Sequence, residues 1–205
     1  AVEIDSEAGP SEVLVLADAS TNPRFAAAEL FAQAEHDEEA MCLLVADSEQ
    51  TADAVATVVD AELPALRRAG IASRALDELG MLIVARSAAE AVDLANFIAP
   101  EHLSVQTRDP EETARGICNA GAVMVGPMTP VAVGDYIAGP NHVLPTMRRA
   151  RFSSPLTAED FRKVTSYIKY SEERLRAQGA DLVRLAELEG LEAHARSVTA
   201  RLEES

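Results

Sequence analysis

Short apolar segments alternate with segments of helical pattern along most of this 205-residue chain. Five short segments, apolar except for Ser104, cover positions 13–16, 42–45, 81–84, 103–105 and 122–125. A strand that is apolar at every position is buried on both faces, and such strands are typical of parallel sheets covered by helices. The pattern therefore predicts an α/β fold with a Rossmann-like parallel sheet and helices on both of its faces.

Helical patterns fill the segments between these strands. They cover residues 25–36, 52–68, 88–97 and 110–118. Asn22 and Pro23 supply an N-cap and a first-turn proline for the first helix. Pro64 lies inside the second pattern and is expected to kink or divide that helix. Strands and helices together predict an α/β portion over residues 1–153.

Helical periodicity dominates the chain after residue 153. Helices are expected at 157–170, 172–189 and 191–202, with Thr157 and Asp160 as a capping box and Gly190 as a helix end. Three short apolar stripes do not make a large independent core. We interpret residues 154–205 as a helical arm that packs on the sheet domain or on another subunit.

An excess of acidic residues excludes several classes of partner. The chain has 34 acidic and 18 basic residues and a formal net charge of −16. A surface of this sign repels phosphate backbones and anionic lipids, so we expect neither nucleic acid nor a membrane as partner. No apolar run is long enough to span a bilayer, and no signal peptide is visible. Cys42 and Cys118 form no metal-binding pair, and we expect two reduced thiols in the core of a cytoplasmic protein.

Two pairs of polar residues are candidates for chemistry. Gln33 and His36 are three residues apart on a predicted helix, so an amide oxygen and an imidazole could share a divalent ion. Their spacing alone favours the alternative, a solvated helix end. Glu101 and His102 directly precede a strand and could act as an acid–base pair, because histidine titrates near neutral pH. Adjacent residues of an extended chain point to opposite sides, and an ordinary surface dipeptide is the alternative that the sequence by itself favours.

The segment 134–142 is predicted as a loop that follows the last strand. It combines glycines, a proline and hydrogen-bonding side chains, and loops at the carboxyl ends of parallel strands often carry ligand groups. Structural and functional interpretations of this loop are equally supported. Glu189 and His194 flank Gly190 at a helix–helix corner, which by itself favours a structural role. The chain contains no glycine-rich nucleotide fingerprint and no nucleophile elbow, so these patterns indicate neither a nucleotide nor a hydrolase.

Seven strings of residues give the chain a family resemblance. They are 8–15 (AGPSEVLV), 33–37 (QAEHD), 99–103 (APEHL), 133–136 (VGDY), 139–146 (GPNHVLPT), 152–156 (FSSPL) and 189–195 (EGLEAHA). In these strings, and in their order, the chain resembles the histidinol dehydrogenases, which catalyse the last two steps of histidine biosynthesis. The resemblance implies a zinc-dependent, NAD-linked oxidation of L-histidinol to L-histidine through L-histidinal.

The resemblance also implies roles for single residues. Zinc would be bound by Gln33, His36, Asp135 and His194, the last coming from the neighbouring subunit of a homodimer. His102 would be the general base, and Glu101 would activate the water that hydrates the aldehyde. Substrate contacts are implied for eight residues, of which His142 is the weakest candidate: Ser11, Gln33, His36, His102, Asp135, His142, Glu189 and His194.

The resemblance covers only the carboxyl-terminal half of the family's usual chain. The amino-terminal half, which completes an α/β domain and contacts NAD, is therefore an expected partner, and no NAD-binding residue is named here. The alternative function is a catalytically inactive metal-binding fragment that needs its amino-terminal half. Met147, Arg148 and Arg149 stand where the family more often has small residues, and we expect them to alter a loop near the site.

Overall fold

The computed structural model describes residues 9–203, and it divides the chain into two compact units. The first unit ends at Phe161 and the second begins at Arg162. The first unit contains the whole sheet, and the second contains two helices. The outer bounds predicted from the sequence, residues 1 and 205, lie outside the described residues.

A parallel sheet of five strands forms the centre of the first unit. Its strands are β1 (Glu12–Ala17), β2 (Met41–Ala46), β3 (Gly80–Val84), β4 (His102–Val105) and β5 (Ala122–Val125). The strand order is β3-β2-β1-β4-β5, and all four pairings are parallel. The predicted parallel α/β sheet is therefore confirmed. The chain changes direction across the sheet between β1 and β4, as in doubly wound folds.

Six α-helices accompany the sheet in the described part of the first unit. They are α1 (Pro23–Ala34), α2 (Glu49–Glu62), α3 (Ala69–Leu79), α4 (Ala88–Ile98), α5 (Pro110–Arg115) and α6 (Val131–Tyr136). Side chains of Asn22, Ser48 and Ser87 cap α1, α2 and α4 by accepting main-chain N–H bonds, which satisfies donors that have no partner inside the helix. A short 3-10 helix at Leu63–Ala65 follows α2, so Pro64 does divide the second helical pattern.

Two apolar cores confirm that helices cover both faces of the sheet. On one face, Val13 and Val15 pack with residues of α1, α2, α3 and α6. On the other face, Leu14, Leu16 and Leu103 pack against α4. Because side chains alternate along a strand, the position of Leu103 directs the preceding residue of β4, His102, toward the face of α1 and α6.

The outer edge of the sheet exposes apolar side chains. β3 is an edge strand, and Met81, Leu82 and Val84 are 56, 45 and 45% exposed. At the opposite edge, Val123 and Val125 are 37 and 36% exposed. Contiguous exposed apolar surface of this kind is typical of a face that another chain or segment covers.

One predicted helix is wrong. Residues 157–170 form only a short 3-10 helix at Ala158–Phe161, followed by residues without regular structure. The capping interaction itself exists, since the Asp160 carboxylate accepts bonds from the N–H and hydroxyl of Thr157 at 2.6 and 2.9 Å. Val164, Tyr167 and Ile168 are 88, 94 and 85% exposed. Without burial of an apolar face, β-branched and aromatic residues do not sustain a helix.

The second unit is a pair of helices, α7 (Glu172–Leu188) and α8 (Glu192–Glu203). Gly190 joins them with a φ of +72°, the left-handed conformation that glycine adopts easily, so the predicted helix end is confirmed. A Cβ atom on Gly179 would lie 2.5 Å from Leu202 Cδ1, so the small residue permits close packing of the two helices.

The two cysteines differ in burial. Both are free, but Cys42 is buried and Cys118 is exposed, so the prediction of two core thiols is wrong for Cys118. Its position after the short helix α5 leaves it at the surface. Among residues 9–203, no helix combines the length and the apolar composition needed to cross a membrane.

Candidate active site at the amino ends of β1 and β4

The candidate site is built where two neighbouring parallel strands begin. Val13 of β1 pairs with His102 of β4, so the residues just before them, Glu12 and Glu101, lie side by side. All three polar residues are buried, with exposed fractions of 5% for Glu12, 7% for Glu101 and 5% for His102. Buried polar groups need hydrogen-bond partners, and here they find them in one another.

Glu12 and Glu101 are joined by a reciprocal pair of hydrogen bonds. The N–H of Glu12 donates to Glu101 Oε2 at 2.9 Å, and the N–H of Glu101 donates to Glu12 Oε2 at 3.2 Å. Glu101 precedes β4 instead of lying within it, so its carboxylate can turn back toward the strand beside it. Its Oε2 atom also lies 3.6 Å from His102 Nδ1, so the adjacent pair does converge.

The tautomer of His102 follows from its partner. His102 Nδ1 lies 3.2 Å from the main-chain oxygen of Glu12. A carbonyl oxygen only accepts hydrogen bonds, so Nδ1 carries the proton and Nε2 keeps its lone pair. Nε2 is buried without a hydrogen-bond partner, and Asp135 Oδ1 is 3.6 Å away. A buried nitrogen lone pair without a partner is suited to receive a proton or a bound group.

Burial shifts the pKa values of both catalytic candidates. Desolvation lowers the pKa of His102, although the charge of Asp135 opposes this change, so the imidazole is neutral near pH 7. Desolvation, together with the charges of Glu12 and Asp135, raises the pKa of Glu101 to about 7. A carboxyl group with a pKa near neutral pH, beside a buried imidazole whose pKa is lowered, is an arrangement typical of general acid–base sites.

Three of the predicted metal ligands belong to elements that pack on the face of His102. Gln33 is on α1 and buried, His36 follows the end of that helix, and Asp135 is on α6. Asp135 Oδ1 lies 3.6 Å from His102 Nε2, and His36 contributes to the lowered pKa of His102. The main-chain oxygen of Gln33 accepts the N–H of His36 at 3.1 Å, and within residues 9–203 the Gln33 side chain makes no hydrogen bond to the His36 or Asp135 side chain.

Glu29 connects α1 and α6, the two helices that carry the predicted ligands Gln33 and Asp135. Its carboxylate accepts the N–H of Val131, the first residue of α6, at 3.0 Å. Glu29 is buried on α1, one helical turn before Gln33. The helix that carries Gln33 and the helix that carries Asp135 are therefore held together by a buried hydrogen bond.

The donor types fit a zinc ion. Amide oxygen, imidazole and carboxylate are ligands that zinc accepts, and the unpartnered Nε2 of His102 marks a polar, buried environment beside Asp135. No group of three or more His, Cys, Asp or Glu suited to a metal occurs among residues 9–203. Of the four expected zinc ligands, the first unit contains Gln33, His36 and Asp135, and the second contains His194. Gln33 is an amide, so only two ligands of the first unit are of the His, Cys, Asp or Glu type.

The remaining predicted residues lie at three places. Ser11 directly precedes β1 and accepts the N–H of Met41 through its main-chain oxygen at 3.0 Å. Asp135 and His142 line one cavity of about 280 Å³. Glu189 and His194 line a groove of about 580 Å³ within the second unit.

The predicted loop over 134–142 is wrong at its start. Gly134, Asp135 and Tyr136 lie on α6, because that helix begins at Val131 and ends at Tyr136.

Sequence reasoning missed Glu12 and Glu29 as members of the site, and it expected Met147 only to alter a loop near the site. The N–H of Met147 donates to Glu12 Oε1 at 2.8 Å. Glu12 heads an apolar strand and Glu29 lies on an alanine-rich helix. A lone carboxylate in an apolar segment is the signal that could have identified both, since such a group must find buried partners. Met147 enters through its main chain, which no residue pattern reveals.

The fold and site together define a doubly wound α/β protein with a buried histidine–glutamate pair. The family model for histidinol dehydrogenase matches residues 1–202, and the chain belongs to that family. It is 52% identical over 201 residues to the histidinol dehydrogenase of Nitrobacter winogradskyi and 46% identical over 200 residues to that of Bacillus subtilis, covering 98% of this chain and 47% of each relative.

A solved structure extends the similarity to the fold. The crystal structure of histidinol dehydrogenase from Elizabethkingia anophelis matches with a TM-score of 0.90 and 37% identity, covering 99% of this chain and 47% of that one. The chain thus spans about half the length of the relatives that it matches.

Proposed function

We propose that this chain carries the catalytic pair and the metal ligands of an NAD-linked, zinc-dependent histidinol dehydrogenase, and that an amino-terminal half supplies the rest of the enzyme. The reaction is the oxidation of L-histidinol to L-histidine through L-histidinal, by two hydride transfers. The observation that carries the proposal is the buried, unpartnered Nε2 of His102 beside Asp135. NAD, when bound by the complete enzyme, accepts the hydride.

His102 is the general base in this proposal. Its Nδ1–H is held by the Glu12 carbonyl at 3.2 Å, so the lone pair of Nε2 faces the site and takes the hydroxyl proton of the alcohol as hydride leaves carbon. The lowered pKa of His102 keeps this lone pair free near neutral pH. In the second oxidation the same atom takes a proton from the hydrated aldehyde.

Glu101 is the base for the hydration step. The aldehyde must add water before a second hydride can leave, and a carboxylate with a pKa of about 7 can remove a proton from that water. The two hydrogen bonds between Glu12 and Glu101 restrict the orientation of this carboxylate. Restricted orientation favours proton transfer, because less motion is needed to reach the reacting geometry.

Gln33, His36 and Asp135 are proposed as zinc ligands, with His194 contributed by the partner subunit of a homodimer. Zinc held by these residues would orient histidinol in the site. Ser11, His142 and Glu189 are proposed as substrate contacts. The helical arm that carries Glu189 and His194 is proposed as the dimerisation element, and the free thiols support a reducing, cytoplasmic location.

The second candidate is a metal-binding fragment without turnover. The exposed apolar side chains Met81, Leu82 and Val84 on the edge strand favour it for the chain in isolation, because they indicate surface that another segment covers. In this case the fragment is completed by the amino-terminal half, so the two candidates differ in whether that half restores activity.

An assay of mixed halves tests the proposal. The chain is mixed with an amino-terminal half taken from the Bacillus subtilis relative, and NADH formation from L-histidinol is followed at 340 nm with and without zinc. Activity that requires both halves and zinc supports the enzyme. Absence of NADH formation from correctly associated halves contradicts it and leaves the metal-binding fragment.

A further inference from the structure

Glu12 is a buried acidic residue that the proposed reaction does not use directly. Its side chain is 5% exposed, and none of the ion pairs among residues 9–203 includes it. Its partners are two main-chain N–H groups. Oε2 accepts from Glu101 at 3.2 Å, and Oε1 accepts from Met147 at 2.8 Å. The carboxylate therefore joins the start of β1 to the start of β4 and to the segment around Met147.

The segment at Met147 has an unfavourable backbone. Met147 and Arg148 have φ values of 54 and 63°, in the left-handed region that residues with a Cβ atom seldom adopt. Thr146 holds the same turn from its other side, since its hydroxyl oxygen accepts the N–H of Gly9 at 2.8 Å. Two consecutive left-handed residues persist only where the surroundings hold them. Glu12 makes one of the contacts that hold this turn, and Arg148 makes another by donating to the main-chain oxygen of Phe97 at 3.2 Å.

The main chain of Glu12 makes the complementary contacts to the catalytic pair. Its N–H donates to the Glu101 carboxylate at 2.9 Å, and its carbonyl accepts from His102 Nδ1 at 3.2 Å. Four hydrogen bonds thus connect Glu12 to Glu101, His102 and Met147. A displacement of Glu12 moves the side chains of both catalytic residues.

We propose that Glu12 is a positioning residue for the catalytic pair: its carboxylate clamps the N–H groups of Glu101 and Met147, and thereby fixes the direction of the Glu101 carboxylate and the His102 ring. The inference rests on the proposed function. A carboxylate is required for this task because each of its two oxygens accepts one N–H bond. A glutamine has a single acceptor oxygen, and its NH2 group would face the main-chain N–H of Glu101 or Met147, which is itself a donor. A residue with only a packing role would not need to bury a charge.

Asp18 provides a matched control at the other end of the same strand. It directly follows β1, and its carboxylate also accepts two main-chain N–H bonds, from Ser20 at 2.8 Å and from Arg108 at 2.7 Å. It lies away from the catalytic pair and has no role in the proposed reaction. Asp18→Asn therefore reproduces the loss of a two-acceptor carboxylate without touching the site.

The kinetic test compares Glu12→Gln, Glu12→Ala and Asp18→Asn in the enzyme assembled from both halves. We expect kcat to fall by about tenfold in Glu12→Gln and about a hundredfold in Glu12→Ala, because a misplacement near 1 Å costs about this much. KM for histidinol should change by less than about threefold, since the substrate contacts remain. Asp18→Asn should keep its kcat. A rise of KM at unchanged kcat, or equal effects of the two positions, would overturn the proposal.

Amide hydrogen exchange gives a second readout that needs no activity. In the 205-residue chain itself, Glu12→Gln should speed exchange at the amides of Glu101 and Met147 and leave the amide of Arg108 unchanged, while Asp18→Asn should do the reverse. Unchanged exchange at Glu101 and Met147 would overturn the clamp. If the unsubstituted assembly forms no NADH while these amides respond as expected, the proposed function fails and the clamp stands.

Discussion

The main-chain oxygen of Glu12 lies 3.2 Å from His102 Nδ1, and this contact decides which nitrogen of the imidazole is available to a substrate. The proton stays on Nδ1 because the oxygen can only accept, so the lone pair lies on Nε2. Glu12 and His102 are 90 residues apart in the sequence. They are in contact only because β1 and β4 are neighbours in the sheet. The strand order thus sets the chemistry of the histidine.

The roles proposed for His102 and Glu101 predict separable effects of a change at Glu101. Glu101→Gln removes the base for hydration but leaves His102 Nε2 in place, so the first oxidation should proceed and the second should stall. NADH formed per histidinol should fall toward half of its normal value, and the aldehyde should be trapped by semicarbazide. A proportional loss of both oxidations would contradict the assignment of Glu101 to the water.

Stability should depend on pH through Glu101. Its pKa of about 7 in the folded protein lies above the ordinary glutamate value of 4.5, so the folded form binds the proton more tightly. The contribution of Glu101 to the free energy of unfolding is complete below a pH of about 4.5, and it is lost as the pH rises through about 7. Urea unfolding at pH values of about 5 and 8 should show the decrease, and Glu101→Gln should reduce it. The decrease should not vanish, because burial also raises the pKa of Glu12. An identical decrease in Glu101→Gln would argue against the raised pKa.

Glu29 should influence metal binding without being a ligand. Its bond to the N–H of Val131 holds α6, and with it Asp135, against the helix of Gln33. Glu29→Ala should weaken zinc affinity by about tenfold or more, as is usual when a group that orients metal ligands is removed. Competition with a chromophoric chelator in the assembled enzyme measures this affinity. Glu111→Ala, an exposed change on α5, is the control. Equal affinities of the two variants would contradict this role.

The sheet core predicts a contrast between two leucines. Leu14 in the central strand β1 is fully buried, and Leu14→Ala should lower the free energy of unfolding by about 2–5 kcal/mol through lost burial and a cavity. Leu82 on the edge strand is 45% exposed, and Leu82→Ala should cost less than about 1 kcal/mol. Urea denaturation of the chain compares them. Similar losses would mean that β3 is buried in solution.

The strands could be predicted because each is short and mostly apolar, apart from Glu12 of β1 and His102 and Ser104 of β4, and the structure confirms all five. The helix α3 (Ala69–Leu79) was not predictable in this way. Its second residue is Gly70, and its only buried residues are Ala72 and Ala75. The opposite error, a helix over 157–170, arose because a capping pattern was followed by residues that have nothing to bury. Helices depend on tertiary packing more than on local pattern.

In the candidate site, too, local sequence predicts some features and tertiary contacts decide the others. Glu101 and His102 attract attention as an adjacent carboxylate and imidazole, but their contact with Glu12 spans 89 residues and requires knowledge of which strands pair. The hydrogen bonds to Met147 and Val131 use main-chain N–H groups, which are present at almost every position and carry no sequence signal. Residue types identify candidates, and strand order identifies their partners.

Turnover of a His102→Asn variant tests the central claim most directly, since the claim is that Nε2 of this buried histidine removes the proton during hydride loss. In the enzyme assembled from both halves, NADH formation from histidinol should fall by about two to four orders of magnitude. Zinc content and histidinol binding, measured by metal analysis and calorimetry, should remain close to those of the unsubstituted enzyme. Turnover within about tenfold of the unsubstituted enzyme, with zinc and substrate bound normally, would contradict the account.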